Sequence, residues 1–243
     1  MNNDDEEIQT GTLPSEEAGR TGSNRQIVVL GMHRSGTSAL TGALASMGVH
    51  VGDEEELTPT NWQNQKGFFE RRDAREICDM LLRNSGADWW KISNFDPDNI
   101  NFDIVQKARP AIRKLLSELN EQGTWALKEP RLCLLLPIFQ SALVDPLVIY
   151  VTRHPVEIAK SLRRRNGFRL QGGLALWEAY TVSALRYGLH LDHLFVDYDD
   201  LVTVPEETLG KLASELAERG VRGLNLEAAI QSVQGSLDRK SVV

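Results

Sequence analysis

The chain has 243 residues, 41 % of them hydrophobic and 25 % charged, with a formal net charge of −7 and two cysteines. That length suits one α/β domain with a full hydrophobic core and a short appendage. Two thiols, Cys78 and Cys133, exclude a disulfide scaffold, and no apolar run approaches the roughly 20 residues that span a bilayer.

The charge is uneven. Residues 1–24 hold six acids against Arg20 alone, a charge of −5, which leaves −2 for residues 25–243. This polar stretch, with no periodicity, reads as a disordered acidic tail ahead of one folded domain over 25–243. Its opening, Met1 to Glu7, has the wrong sign for a signal or transit peptide, and the two thiols fit a reducing compartment, so the expectation is a cytoplasmic protein. An acidic chain is a poor nonspecific partner for nucleic acid, yet a local basic pocket still suits a phosphorylated small molecule.

In chain order, Gln26 to Leu30 is a short β-branched run read as a buried parallel strand. Thr37 to Met47 reads as a helix stopped by Gly48, residues 52–66 as a loop, Glu70 to Arg83 as a helix and Ile104 to Leu119 as another. Thr124 to Lys128 is a second strand, Leu132 to Leu143 a helix, and Leu147 to Val151 the clearest strand. Pro155 opens a helix running to Arg165, and residues 173–190 form a long one. Leu194 to Tyr198 is a fourth strand, followed by helices from Pro205 to Gly220 and Leu226 to Val233. Strands alternating with helices predict an α/β three-layer sandwich around a mostly parallel sheet.

The strongest local signal is Gly31-Met32-His33-Arg34-Ser35-Gly36-Thr37-Ser38, between the first strand and the first helix. Backbone N–H groups of such a turn converge on an anion, and the helix N-terminus adds positive potential. The pattern departs from the triphosphate-binding G-x-x-x-x-G-K-[ST], because Thr37 fills the lysine position and the nearest cation is Arg34. A second constellation follows the third strand: Arg153-His154-Pro155, then Ser161 eight residues after the arginine. An arginine at the carboxyl end of a parallel strand sits where such sheets bind ligands, and a guanidinium gives paired bonds to phosphate.

Arg34 to Ser38, Arg153 and Ser161 together resemble the sulfotransferases that use 3′-phosphoadenosine 5′-phosphosulfate. Trp177-x-x-Tyr180, Val196 to Leu201 and Ser236 to Arg239 are similar too, so the resemblance spans about residues 26–240. It implies a P-loop nucleoside-triphosphate-hydrolase-like fold. It also implies Arg34, Ser35, Gly36, Thr37 and Ser38 on the donor's 5′-phosphosulfate, and Arg153, Ser161 and Arg239 on its 3′-phosphate. Adenosine 3′,5′-bisphosphate would be the product, no metal would be required, and the details look most like bacterial carbohydrate-modifying members.

For the chemistry, the resemblance points to two regions. Gly67-Phe68-Phe69-Glu70 lies where several members carry a catalytic glutamate, and Lys128-Glu129-Pro130-Arg131 lies where many place a lysine. Small-molecule members have a histidine at the position of Pro130, which cannot act as a base. Glu70 is therefore the expected base with Glu129 second, and Lys128 is expected at the sulfuryl oxygens. The expected acceptor is a hydroxyl on a glycan or glycolipid. Two rivals remain open: a P-loop small-molecule kinase using ATP, with Leu194 to Asp197 as its acidic strand, and a binding module without catalysis. Arg163, Arg164, Arg165 and Arg169 can screen the anionic donor or meet an anionic acceptor, but at least two of them read as a solvated helix face. Trp89 and Trp90 can stack on a sugar but read more readily as core or edge aromatics, and Cys78 and Cys133 as small core residues. His190 and His193, three apart at a helix end, lack a third metal ligand nearby.

Overall fold

The computed structural model describes residues 24–59 and 68–237. Four strands, β1 (Gln26–Leu30), β2 (Trp125–Lys128), β3 (Leu147–Thr152) and β4 (Asp192–Asp197), form one parallel sheet in the order β2-β1-β3-β4. The registers are set by pairs such as Val28 with Leu127, Val28 with Val148, and Val148 with His193. Around it lie α1 (Thr37–Ser46), α2 (Arg72–Asn84), α3 (Phe102–Asn120), α4 (Leu132–Gln140), α5 (Pro155–Asn166), α6 (Leu170–Gly188), α7 (Tyr198–Thr203), α8 (Pro205–Glu218) and α9 (Leu226–Leu237).

Side chains alternate across each strand, so one run of apolar residues supplies two cores. Val28, Leu30, Leu127, Val148 and Tyr150 face a layer built from α2, α3, α4, α5 and α6. Ile27, Val29, Ala126, Ile149 and Val151 face the opposite layer of α1, α7, α8 and α9. This is the expected α/β three-layer sandwich. The sheet leaves β1 in its middle, so the loop after β1 lies between the carboxyl ends of β2 and β3, the place where parallel sheets hold ligands.

Several boundaries differ from expectation, two of them for clear local reasons. Glu70 and Arg71 are extended rather than helical, because Leu57 and Arg71 form an antiparallel bridge: Thr58 N donates to Glu70 O at 2.8 Å and Arg72 N to Glu56 O at 2.9 Å. Tyr198 opens α7 instead of ending β4, because the Asp197 carboxylate caps the helix by accepting from the N–H groups of Asp199 and Asp200. α6 ends at Gly188, so His190 lies in the following turn and His193 in β4. Cys78 and Cys133 are free and buried, as expected of core residues. The acidic tail falls almost wholly outside the described residues, as do Gly67 and Arg239.

Candidate active site

The loop after β1 is shaped by two glycines. A Cβ on Gly31 would stand 2.7 Å from Thr37 Cγ2 and 3.0 Å from the Val151 carbonyl, so the strand can turn there only without a side chain. Gly31 N–H also donates to Cys133 Sγ at 3.2 Å, tying the loop to α4. Gly36 has φ 96°, and a Cβ there would run into the Tyr198 ring. Gly36 caps α1 without a side-chain bond, and among the described residues the N–H groups of Thr37 and Ser38 have no acceptor. Orphan donors of this kind, together with the helix dipole, are suited to an anion. Ser35 and Thr37 are buried beneath it.

Two clusters flank the loop. On one side Arg34, a non-glycine residue at φ 74°, points its guanidinium to Ser161, with Nε donating to Oγ at 2.9 Å. Arg153 donates to the Arg34 carbonyl at 2.9 Å, and its guanidinium lies 4.5 Å from the centre of the Tyr198 ring. Arg153 Nε is buried without a partner among the described residues. Burial and the neighbouring Arg165, Arg153 and Arg164 lower the pKa of Arg34, a sign that cations crowd this corner with too little negative charge.

On the other side Lys128, 1 % exposed, extends from the end of β2 and donates to Glu70 Oε1 at 2.7 Å and to Ser38 Oγ at 3.1 Å. Ser38 in turn donates to the Phe68 carbonyl at 3.2 Å. Glu70 is fixed by the Leu57–Arg71 bridge. Beside it, buried Arg71 is held by Glu56, Asp73 and Glu118 at 2.7–2.9 Å. Phe69, just before Glu70, is left-handed at φ 50°, so both flanks of the loop carry backbone strain of the kind functional sites hold.

Glu129 is 0 % exposed, with Oε1 bonded to Arg131 NH1 at 2.6 Å and to the Arg131 N–H at 3.1 Å. Burial and the charge of Glu70 raise its pKa. Arg131 also pairs with Asp79 at 2.8 Å, and its own pKa is raised by the two carboxylates. Glu70, His33, Thr58, Phe68, Trp89, Arg131 and Arg165 all line one cleft of about 330 Å³, whereas Glu129 does not reach it. A larger surface concavity, about 660 Å³, lies on α6 around Val182, Leu185 and Leu189, away from both clusters.

The structure thus brings Arg34, Arg153 and Ser161 into one cluster, and Ser38, Lys128 and Glu70 into another, with Ser35, Gly36 and Thr37 between them. Arg163, Arg164, Arg165 and Arg169 are all exposed, and Arg165 also lies over the Phe68 ring at the edge of the cleft. Sequence reasoning passed over His33 and Tyr198 as individual residues. The signal for His33 was its place inside the loop, and for Tyr198 the acidic cap that follows β4. No group of three or more metal-ligating side chains occurs among the described residues. No helix among them is long and apolar enough to cross a membrane.

A family model described as the sulfotransferase family matches residues 26–218, which is most of the chain. The chain therefore belongs to the sulfotransferase family of enzymes. No curated protein sequence matches it. Among solved structures it is similar to a sulfotransferase domain from the curacin biosynthetic pathway. The two share 17 % identity over 80 % of this chain and 74 % of that one, with a TM-score of 0.51. It is also similar to the sulfotransferase STF9 from Mycobacterium avium, at 14 % identity over 89 % of this chain and 68 % of that one, with a TM-score of 0.52. At these identities the likeness shows the fold alone.

Proposed function

We propose that the chain transfers a sulfuryl group from 3′-phosphoadenosine 5′-phosphosulfate to a hydroxyl of a carbohydrate or glycolipid acceptor. The observation that carries this reading is the Ser38–Lys128–Glu70 chain, which joins a phosphate-type loop to a carboxylate facing a cleft. The residues suit the donor. The orphan N–H groups of α1 and the Arg34, Ser35, Gly36, Thr37 and Ser38 segment meet its 5′-phosphosulfate. Arg153, with its unpartnered buried Nε, joins Ser161, the residue that Arg34 also touches, at its 3′-phosphate. Arg239 is a further cation for that phosphate.

The donor supplies a sulfur with a good leaving group. Glu70 takes the proton from the acceptor hydroxyl as the acceptor oxygen bonds to sulfur. The bond from sulfur to the 5′-phosphate oxygen breaks, and its electron pair stays on that oxygen. Lys128 and the α1 N–H groups offset the charge that builds there, so positioning and electrostatics carry the catalysis without a metal. Glu129 is enclosed and tied to Arg131, which favours Glu70 as the base. The catalytic unit is residues 25–243 with the acidic tail appended, acting in the cytoplasm in keeping with its two buried free thiols.

A kinase fits less well. Thr37 occupies the lysine position, and Asp197, the acidic-strand candidate, is engaged as the cap of α7 and accepts from Thr152 at 2.9 Å. Radiolabelled sulfuryl transfer by Glu70→Gln is the test. Turnover should fall at least 100-fold while bisphosphate binding stays within threefold of wild type. Undiminished turnover would remove Glu70 from its role.

A further inference from the structure

The backbone of Arg34 belongs to the turn that suits the donor's 5′ end, but its side chain leaves that turn. Nε donates to Ser161 Oγ on α5 at 2.9 Å, and among the described residues no side-chain bond joins Arg34 to Ser35, Thr37, Ser38 or Lys128. The backbone sets this direction. Arg34 is left-handed at φ 74°, and Arg153 NH1 holds its carbonyl at 2.9 Å. Both terminal nitrogens of Arg34 have no hydrogen-bond partner among the described residues, and neither is sealed from solvent. They are free to meet a ligand while Nε stays on Ser161.

Charge separates the two sides of the loop. Lys128, on the α1 side, is paired with Glu70 at 2.7 Å. On the other side neither Arg34 nor Arg153 has a carboxylate partner among the described residues, and Arg165 and Arg164 add positive potential around Arg34. Two guanidiniums that meet at one buried serine suit a dianion better than a monoanion. A phosphomonoester carries about −1.5 to −2 near neutral pH, whereas the phosphorus of a 5′-phosphosulfate, linked on both sides, carries less. We propose that Arg34 reads the donor's 3′-phosphate: its backbone shapes the turn for the 5′ end, while its guanidinium, anchored on Ser161, binds the 3′-phosphate beside Arg153. This rests on the donor reading above and gives one side chain of that site a different end of the nucleotide.

The test is calorimetric titration of the full chain with adenosine 3′,5′-bisphosphate, adenosine 3′-monophosphate and adenosine 5′-monophosphate. Wild type should bind the bisphosphate at least 100-fold more tightly than the 5′-monophosphate. Arg34→Ala should weaken the bisphosphate and the 3′-monophosphate at least tenfold each, and the 5′-monophosphate less than threefold. Arg34→Lys keeps the charge but loses the Nε bond and the planar fork, so it should recover only part of the loss. Alanine and lysine meet the same left-handed backbone cost as arginine, so neither substitution adds strain. In phosphorus NMR of the bound bisphosphate, the 3′ resonance should differ between wild type and Arg34→Lys while the 5′ resonance stays in place. Equal weakening of the bisphosphate and the 5′-monophosphate in Arg34→Ala, with the 3′-monophosphate unaffected, would place the guanidinium at the 5′ end and overturn the assignment. Unchanged bisphosphate binding would overturn it too. If wild type binds the bisphosphate no better than the 5′-monophosphate, the donor reading fails first and this assignment falls with it.

Discussion

Gly36, Arg34 and His33 stand within four residues of each other and do three different physical jobs. Gly36 gives the backbone a φ of 96° where the Tyr198 ring leaves no room for a Cβ. Arg34 accepts a left-handed backbone as a non-glycine residue and thereby reaches Ser161. Nothing in the spacing of Arg34 and Ser161 reveals that contact, because it depends on a strained turn and on packing across 127 residues of chain. The loop itself was legible, since its glycines and hydroxyls follow a strand directly. His33 carries the clearest pH consequence. A histidine whose folded pKa is depressed resists protonation in the native state only. Its contribution to stability is whole above the unfolded value, about 6.5, and declines as the pH falls below it toward the folded value. Urea midpoints measured at pH 7.5, 6.0 and 5.0 should therefore fall for wild type, with His33 adding up to about 1.4 kcal/mol per pH unit below 6.5. His33→Phe should show a flatter profile, and an identical slope would show that His33 is not buried as a neutral ring.

At the scale of elements, the sequence marked each strand and the major helices because a β-branched run bounded by turns and an apolar helical period are local signals. The ends were legible only where a cap was recognised. Pro155 correctly opens α5, and the His154 ring accepts from the Val156 N–H at 3.3 Å. The start of α2 was placed early at Glu70, because the bridge that keeps Glu70 extended involves Leu57 and is invisible locally. That displacement matters, since it leaves Glu70 on a pinned extended segment facing Lys128 rather than in a helix turn. Asp197 holds α7, and α7 begins with the Tyr198 ring that supports Arg153. Asp197→Ala should lower stability by about 1 kcal/mol, as loss of an N-cap does, and weaken bisphosphate binding severalfold. Chemical denaturation and calorimetry check the two effects. Lower stability with unchanged binding would separate the cap from the site.

For the whole molecule, one sheet with two apolar faces explains why an ordinary composition suffices. The layers were readable from alternation of strands and helices, but the order β2-β1-β3-β4 was not, because crossovers are set by packing of helices rather than by any strand's own sequence. The end of the sheet opposite the site is held by charge. Arg25, buried just before β1, pairs with Asp145 at 2.7 Å and Asp192 at 2.9 Å, and Asp192 also meets Arg219 at 3.0 Å. This clamp joins the starts of β1 and β4 to the turn before β3. Its carboxylates remain partly in water, so removing the arginine leaves hydrated charges and not sealed ones. Arg25→Ala should destabilise the fold by about 1–3 kcal/mol, read from denaturant unfolding. A change below 0.5 kcal/mol would mean the clamp is decorative.

The paired clusters around the loop make the donor the point on which everything else depends. Calorimetric titration of wild type and Arg153→Ala with adenosine 3′,5′-bisphosphate, beside ATP with Mg²⁺, tests it directly. The geometry predicts tight bisphosphate binding to wild type, at least a tenfold weakening in Arg153→Ala, and little affinity for ATP. Binding of ATP with Mg²⁺ and no preference for the 3′-phosphate would contradict it.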